Sequence, residues 1–118
     1  MRICFCTPQL PYPPEQGAAI RNYHLLRSAA AEHEVTLVSF APDGAAVHDE
    51  LRSLCDEVLT AAPLPRPLPR RLAELALPAP DLLRRLRSRS LEMSVARLNR
   101  RRGAFDVVQV EGLEMWPV

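Results

Sequence analysis

The side chains with the most chemical reach near the start of this sequence lie in Gly17-Ala-Ala-Ile-Arg21-Asn22-Tyr-His24. Gly17 has no Cβ, so the backbone can approach a ligand closely and can adopt positive φ. A helix opening there offers unpaired N–H groups and the positive end of its dipole. That is the chemistry of an anion site. One glycine falls short of the G-x-G-x-x-G of dinucleotide binders, so the simple alternative is a turn glycine. Arg21 and Asn22 fall in the first helical turns. A guanidinium at that place suits a phosphate or an acidic acceptor group, the alternative being a solvated helix face. His24 reads as a structural or surface histidine. No Ser-His-Asp set, nucleophilic cysteine or metal-ligand constellation stands out, and no metal is expected.

The elements that must position these residues follow from hydrophobic spacing. Ile3–Thr7 is a nearly continuous apolar run, as in a strand buried on both faces of a parallel sheet. Pro8, Pro11, Pro13 and Pro14 exclude regular structure up to Gly17. Ile20, Tyr23, Leu26 and Ala30 then recur at helical spacing and predict one packed face, with Arg21, Asn22 and Arg27 off it. Val35–Phe40 reads as a second strand. Asp43-Gly44 is a turn suited to starting a helix over 45–55, with Val47, Leu51 and Leu54 on one side, and Glu57–Thr60 is a third strand. Residues 62–69 place prolines at alternate positions, an extended segment that leaves the sheet. Helices are expected at 70–77, at 80–87 and around Leu91, Val95 and Leu98, the last ended by Gly103. Residues 104–111 read as a fourth strand, with Gly112 as its exit turn. The β-α-β-α-β start implies a Rossmann-like α/β domain of three layers, with a parallel sheet in order 3-2-1-4 and an Arg- and Pro-rich helical insertion at about 61–103. In open sheets of this kind ligands bind outside the carboxyl ends of the strands, which points to Thr7–Asn22.

Composition narrows the setting. Cys4, Cys6 and Cys55 are odd in number and embedded in apolar runs, which suits reduced, buried thiols in a cytoplasmic protein better than a disulfide or metal role. No apolar run approaches the length of a membrane span, and the amino terminus has no signal-peptide pattern. The net charge is only +1, but residues 66–102 hold eleven Arg against three acids. Those helices suit a solvated surface, or a peripheral contact of the 70–102 stretch with anionic lipid headgroups. Nucleic acid is not an expected partner, because no groove-reading motif or interleaved aromatic is present.

Several stretches taken together resemble a known family. M-R-I at the start, T-P-Q-L-P-Y-P-P-x-x-G, I-R-N-Y-H-L-L-R, H-E-V-T-L-V-S-F and F-D-V-V-Q-V-E-G-L-E-M are similar to the amino-terminal, acceptor-side domain of GT-B glycosyltransferases of family 4. The resemblance implies a retaining enzyme that moves a sugar from a nucleotide-sugar donor to a glycan or lipid-linked acceptor, with no further cofactor. It implies that 1–118 is the incomplete amino-terminal half, that a carboxyl-terminal donor-binding domain lies outside it, and that the half alone is inactive. It also puts the Gly17 loop near the donor phosphates and Asn22 near sugar or acceptor. Where the family often carries His-x-His, this sequence has Gln109 and Glu111. A carboxylate at 111 suits accepting a proton from, or hydrogen-bonding, a sugar hydroxyl. The bland alternative is that Glu111 caps a turn. From a different class, the same sequence suits a non-catalytic α/β module that docks a membrane or protein through its Arg-rich helices.

Overall fold

The computed structural model describes residues 1–62, 69 and 89–112. The central strand, β1 (Arg2–Thr7), pairs in parallel with β2 (Glu34–Phe40) on one side and β4 (Val107–Val110) on the other. β3 (Glu57–Ala61) adds in parallel to β2, giving the order β3-β2-β1-β4. This is the Rossmann-like α/β arrangement expected, in the expected strand order. The helices are α1 (Gly17–Ala30), α2 (Asp49–Leu54) and α3 (Arg89–Arg102).

Alternation along β1 divides the core into two layers. Ile3 and Phe5 pack with Val35, Leu37, Leu26, Leu51 and Cys55, the side covered by α1 and α2. Cys4 and Cys6 face the other way and pack with Val38 and Phe40, joined by Val95 of α3, Phe105 and Val110. Each fully enclosed large side chain, such as Phe5 or Leu26, contributes about 1.5–3 kcal/mol from burial. The end of the Arg-rich stretch is therefore a covering layer: Leu98 of α3 is buried and Val95 packs on the sheet. The helices expected at 70–77 and 80–87 lie outside the described residues, as does most of the 62–69 segment.

Three local expectations are corrected. The second helix starts at Asp49 rather than 45, because Gly44 turns the chain with φ +76° and Ala45 N–H bonds back to the Pro42 carbonyl. Its first turn carries Asp49 and Glu50, favourable at the positive end of the helix. The fourth strand starts at Val107 rather than 104, because Asp106 is held by Arg2: the Arg2 N–H donates to its carboxylate (2.7 Å) and the Asp106 N–H to the Arg2 carbonyl (2.9 Å). The packed face of α1 is also rotated. Ala19, Asn22, Tyr23 and Leu26 are buried, with Asn22 only 2% exposed, whereas Ile20 is 41% exposed. Positions 19, 22, 23 and 26 share one helical face, so the face that buries Tyr23 and Leu26 carries Asn22 inward.

Arg2 ties the end of α3 to the start of β1. Its guanidinium donates to the carbonyls of Arg102 (2.5 Å) and Gly103 (2.6 Å) and lies over the Phe105 ring. A cation on the last carbonyls of a helix satisfies orphan acceptors at the negative end of the dipole. Gly103, at φ +87°, supplies the left-handed turn that ends α3.

Candidate functional site

The carboxyl ends of the strands carry a row of polar residues on the α1 side. Register pairs Thr7 of β1 with Ser39 of β2, and Ser39 with Thr60 of β3. Thr7 donates to Ser39 (3.1 Å), which donates to the Phe40 carbonyl (3.1 Å), so two fully buried hydroxyls are satisfied in series. On the other flank, Phe5 pairs with Gln109 and Cys6 with Val110. Period-two alternation therefore turns Gln109 and Glu111 toward α1 and sends Val110 to the α3 side. The Glu111 N–H continues the ladder to the Cys6 carbonyl (2.8 Å).

This brings together residues far apart in sequence. Arg21, one turn into α1, donates to Glu111 Oε2 at 2.5 Å, and Gln109 donates its amide N–H to Glu111 Oε1 at 2.8 Å. The Glu111 side chain is 12% exposed, and that of Arg21 is 66% exposed. Both carboxylate oxygens are thus occupied at an almost enclosed position, while the guanidinium stays largely hydrated. Asn22 lies beside Arg21 on the buried face, and its Oδ1 accepts no hydrogen bond. A buried amide oxygen without a donor costs about 1–3 kcal/mol, so the site holds an unused acceptor.

Gly17 departs from the expectation for it. It opens α1, but its φ is not positive and a Cβ there would meet nothing within 4 Å. No backbone crowding requires glycine. Gln16, at the N-cap, makes no side-chain cap, and the first turn holds no acid. The first-turn N–H groups therefore keep the unneutralised positive end of the helix.

The proline-rich loop is anchored by contacts the sequence did not reveal. Pro11 is enclosed, and the Tyr12 ring packs on Tyr23 (5.4 Å) and His48 (5.2 Å). Tyr23 donates to Glu50 (2.5 Å), and that bond raises its phenol pKa above the ordinary value. His24 is exposed and packs edge-on to Tyr23, as a surface histidine would. The Tyr12–His48 contact has no sequence signal. The hydroxyl row had one, because Thr7, Ser39 and Thr60 each follow an apolar run near the end of a strand.

The three cysteines are free and buried. Cys4 and Cys6 lie with their sulfurs 3.7 Å apart under α3, away from Arg21, and contact with Cys4 together with burial pushes the Cys6 thiol well up. Burial, with a smaller push from Asp56, raises Cys55 to about 11. Neither has the character of a nucleophile. Among the described residues no group of His, Cys, Asp and Glu has the form of a metal site. No family model, curated protein or solved structure matches this chain.

Proposed function

We propose that this chain is the acceptor-side, amino-terminal half of a retaining glycosyltransferase that uses a nucleotide-sugar donor, in the manner of the GT-B family 4 enzymes it resembles. The observation that carries this reading is the Arg21–Glu111–Gln109 cluster, set at the carboxyl edge of the two adjacent strands beside the uncapped start of α1. That edge is where open α/β sheets bind ligands, and the cluster offers both a cation and a carboxylate there.

In this reading the amides at Gly17 and the Arg21 guanidinium meet the charge of the donor diphosphate. Gln109 and Asn22 hydrogen-bond hydroxyls of sugar or acceptor. The acceptor oxygen bonds to the anomeric carbon, the phosphate oxygen departs with the electron pair of the broken bond, and the acceptor proton passes to Glu111. A second Rossmann-like domain supplies most of the nucleotide contacts. The acceptor is a glycan or lipid-linked sugar. The protein works in the cytoplasm, with α3 and the rest of the 70–102 stretch against anionic lipid. Exposed Arg97, Arg100, Arg101 and Arg102 on α3 support that placement, and among the described residues no helix is long and apolar enough to cross a membrane.

One observation favours a second reading, a non-catalytic module that docks a membrane or protein partner through α3. Both Glu111 oxygens are already engaged, as in a purely structural ion pair, while α3 leaves Met93 exposed among arginines. The discriminating experiment measures sugar transfer from a panel of nucleotide sugars by the protein expressed from its complete reading frame. Transfer that Glu111→Gln abolishes supports the enzyme. Absence of transfer and of any nucleotide-sugar binding, with binding to anionic vesicles retained, supports the module.

A further inference from the structure

The Arg21–Glu111 contact is asymmetric in a way that suits a movable partner. Glu111 is anchored three times over: by its main-chain bond to Cys6, by Gln109 on one oxygen and by near-enclosure at the strand end. Arg21 is anchored there by the carboxylate alone among its described contacts, and two thirds of its side chain faces water. If the pair parts, Gln109 still holds the carboxylate, whereas the guanidinium is free to turn on a long, flexible stem. The lowest-cost motion at this site is therefore that of Arg21.

We infer that the Arg21–Glu111 pair is a latch opened by a diphosphate-bearing ligand, an inference that rests on the function proposed above and assigns an order of events to it. With the latch closed, Glu111 Oε2 is paired with the guanidinium and Oε1 with the Gln109 amide, which lowers the basicity of the carboxylate toward an acceptor hydroxyl. A diphosphate carries two or more negative charges and several oxygens in the geometry a guanidinium binds in pairs, so it outcompetes a single carboxylate for Arg21. When Arg21 turns to the phosphate, Glu111 Oε2 is released while Oε1 stays on Gln109. The base thus gains its full basicity only after the donor is seated. Donor precedes acceptor, and the carboxylate is a weaker base toward other hydroxyl compounds in the empty site.

Calorimetric titration with inorganic pyrophosphate at low ionic strength tests the latch in four proteins: wild type, Glu111→Gln, Arg21→Gln and the double variant. Wild type binds, and Glu111→Gln binds about three- to tenfold tighter because no carboxylate must be displaced. Arg21→Gln binds more weakly than wild type, and adding Glu111→Gln to it changes nothing. An equal gain from Glu111→Gln in both backgrounds means that the carboxylate acts only through its field, and this overturns the latch. So does binding to Glu111→Gln no tighter than to wild type. Either result leaves the proposed function standing. Absence of pyrophosphate binding in both wild type and Glu111→Gln overturns the latch, while sugar transfer by the protein from its complete reading frame decides the function separately. Glu111→Ala replaces Glu111→Gln should the latter fail to fold.

Discussion

Arg21 and Glu111 stand 90 positions apart in the chain, yet the guanidinium of one donates to the carboxylate of the other at 2.5 Å. The contact joins the first turns of α1 to the end of the edge strand β4, and so links the two stretches that carry the candidate chemistry. Because Arg21 is largely hydrated, the pair adds little to stability. A double-mutant cycle over Arg21→Gln and Glu111→Gln, read by urea unfolding, gives a coupling of about 0.5–1 kcal/mol. Under the proposed glycosyl transfer, Glu111→Gln lowers kcat about 10²- to 10⁴-fold, the usual worth of a general base.

Gly17 and Gly103 respond in opposite directions to alanine. At Gly17 the backbone is not left-handed and a Cβ meets open space, so Gly17→Ala stabilises by about 0.4–1 kcal/mol through the unfolded chain. At Gly103, φ is +87° and the new Cβ sits 3.4 Å from the Arg2 guanidinium, so Gly103→Ala loses about 1–2 kcal/mol. Thermal melts of the two variants check the signs. Weaker pyrophosphate binding by the more stable Gly17→Ala protein marks the open space there as ligand space.

The buried hydroxyl pair is a local test of the sheet edge. Thr7→Val keeps the shape of the side chain but removes the donor to Ser39 in a fully buried place. The loss is about 1 kcal/mol, measured by chemical unfolding. Ser39→Ala also deletes the bond to the Phe40 carbonyl and costs more.

The cysteines set the alkaline limit. Cys55 rises from its ordinary 9.0 to about 11 in the folded protein. Below pH 9 its thiol is neutral in both states and this contribution is fully present. Between pH 9 and 11 the unfolded chain ionises first, and stability falls as pH rises. Tyr23, raised by its bond to Glu50, acts in the same direction, whereas the contact between Cys4 and Cys6 shifts the two thiols oppositely, Cys4 down and Cys6 up. Melting temperature against pH therefore declines less steeply for Cys55→Ala than for wild type across that window. Native protein at pH 7.4 reacts slowly with a thiol reagent, and unfolded protein exposes all three thiols.

Much of this architecture was legible in the order of residues. Apolar runs at Ile3–Thr7 and Val35–Phe40 announce strands, the first of them buried on both faces, prolines mark the loop between β1 and α1, and the alternation of elements implies the parallel order observed. These features are local, because they depend on side-chain volume, branching and φ restriction within a few positions. The exposed arginines of α3 and the buried cysteines were legible for the same reason.

What tertiary structure alone decided concerns phase and distance. Helical spacing placed Ile20 inward and Asn22 outward, but the rotation of α1 about its axis is set by its packing on the rest of the fold, and Asn22 went in. The helix over 45–55 lost its first turn to Gly44, whose left-handed φ spends those residues on a bend. Gly17 and Glu111 were singled out separately, one as a flexible glycine and the other as a lone carboxylate. Only the pairing of β4 with β1 brought Glu111 under Arg21. Such a contact forms across a sheet closed by non-local hydrogen bonds, whose register no window of neighbouring residues contains.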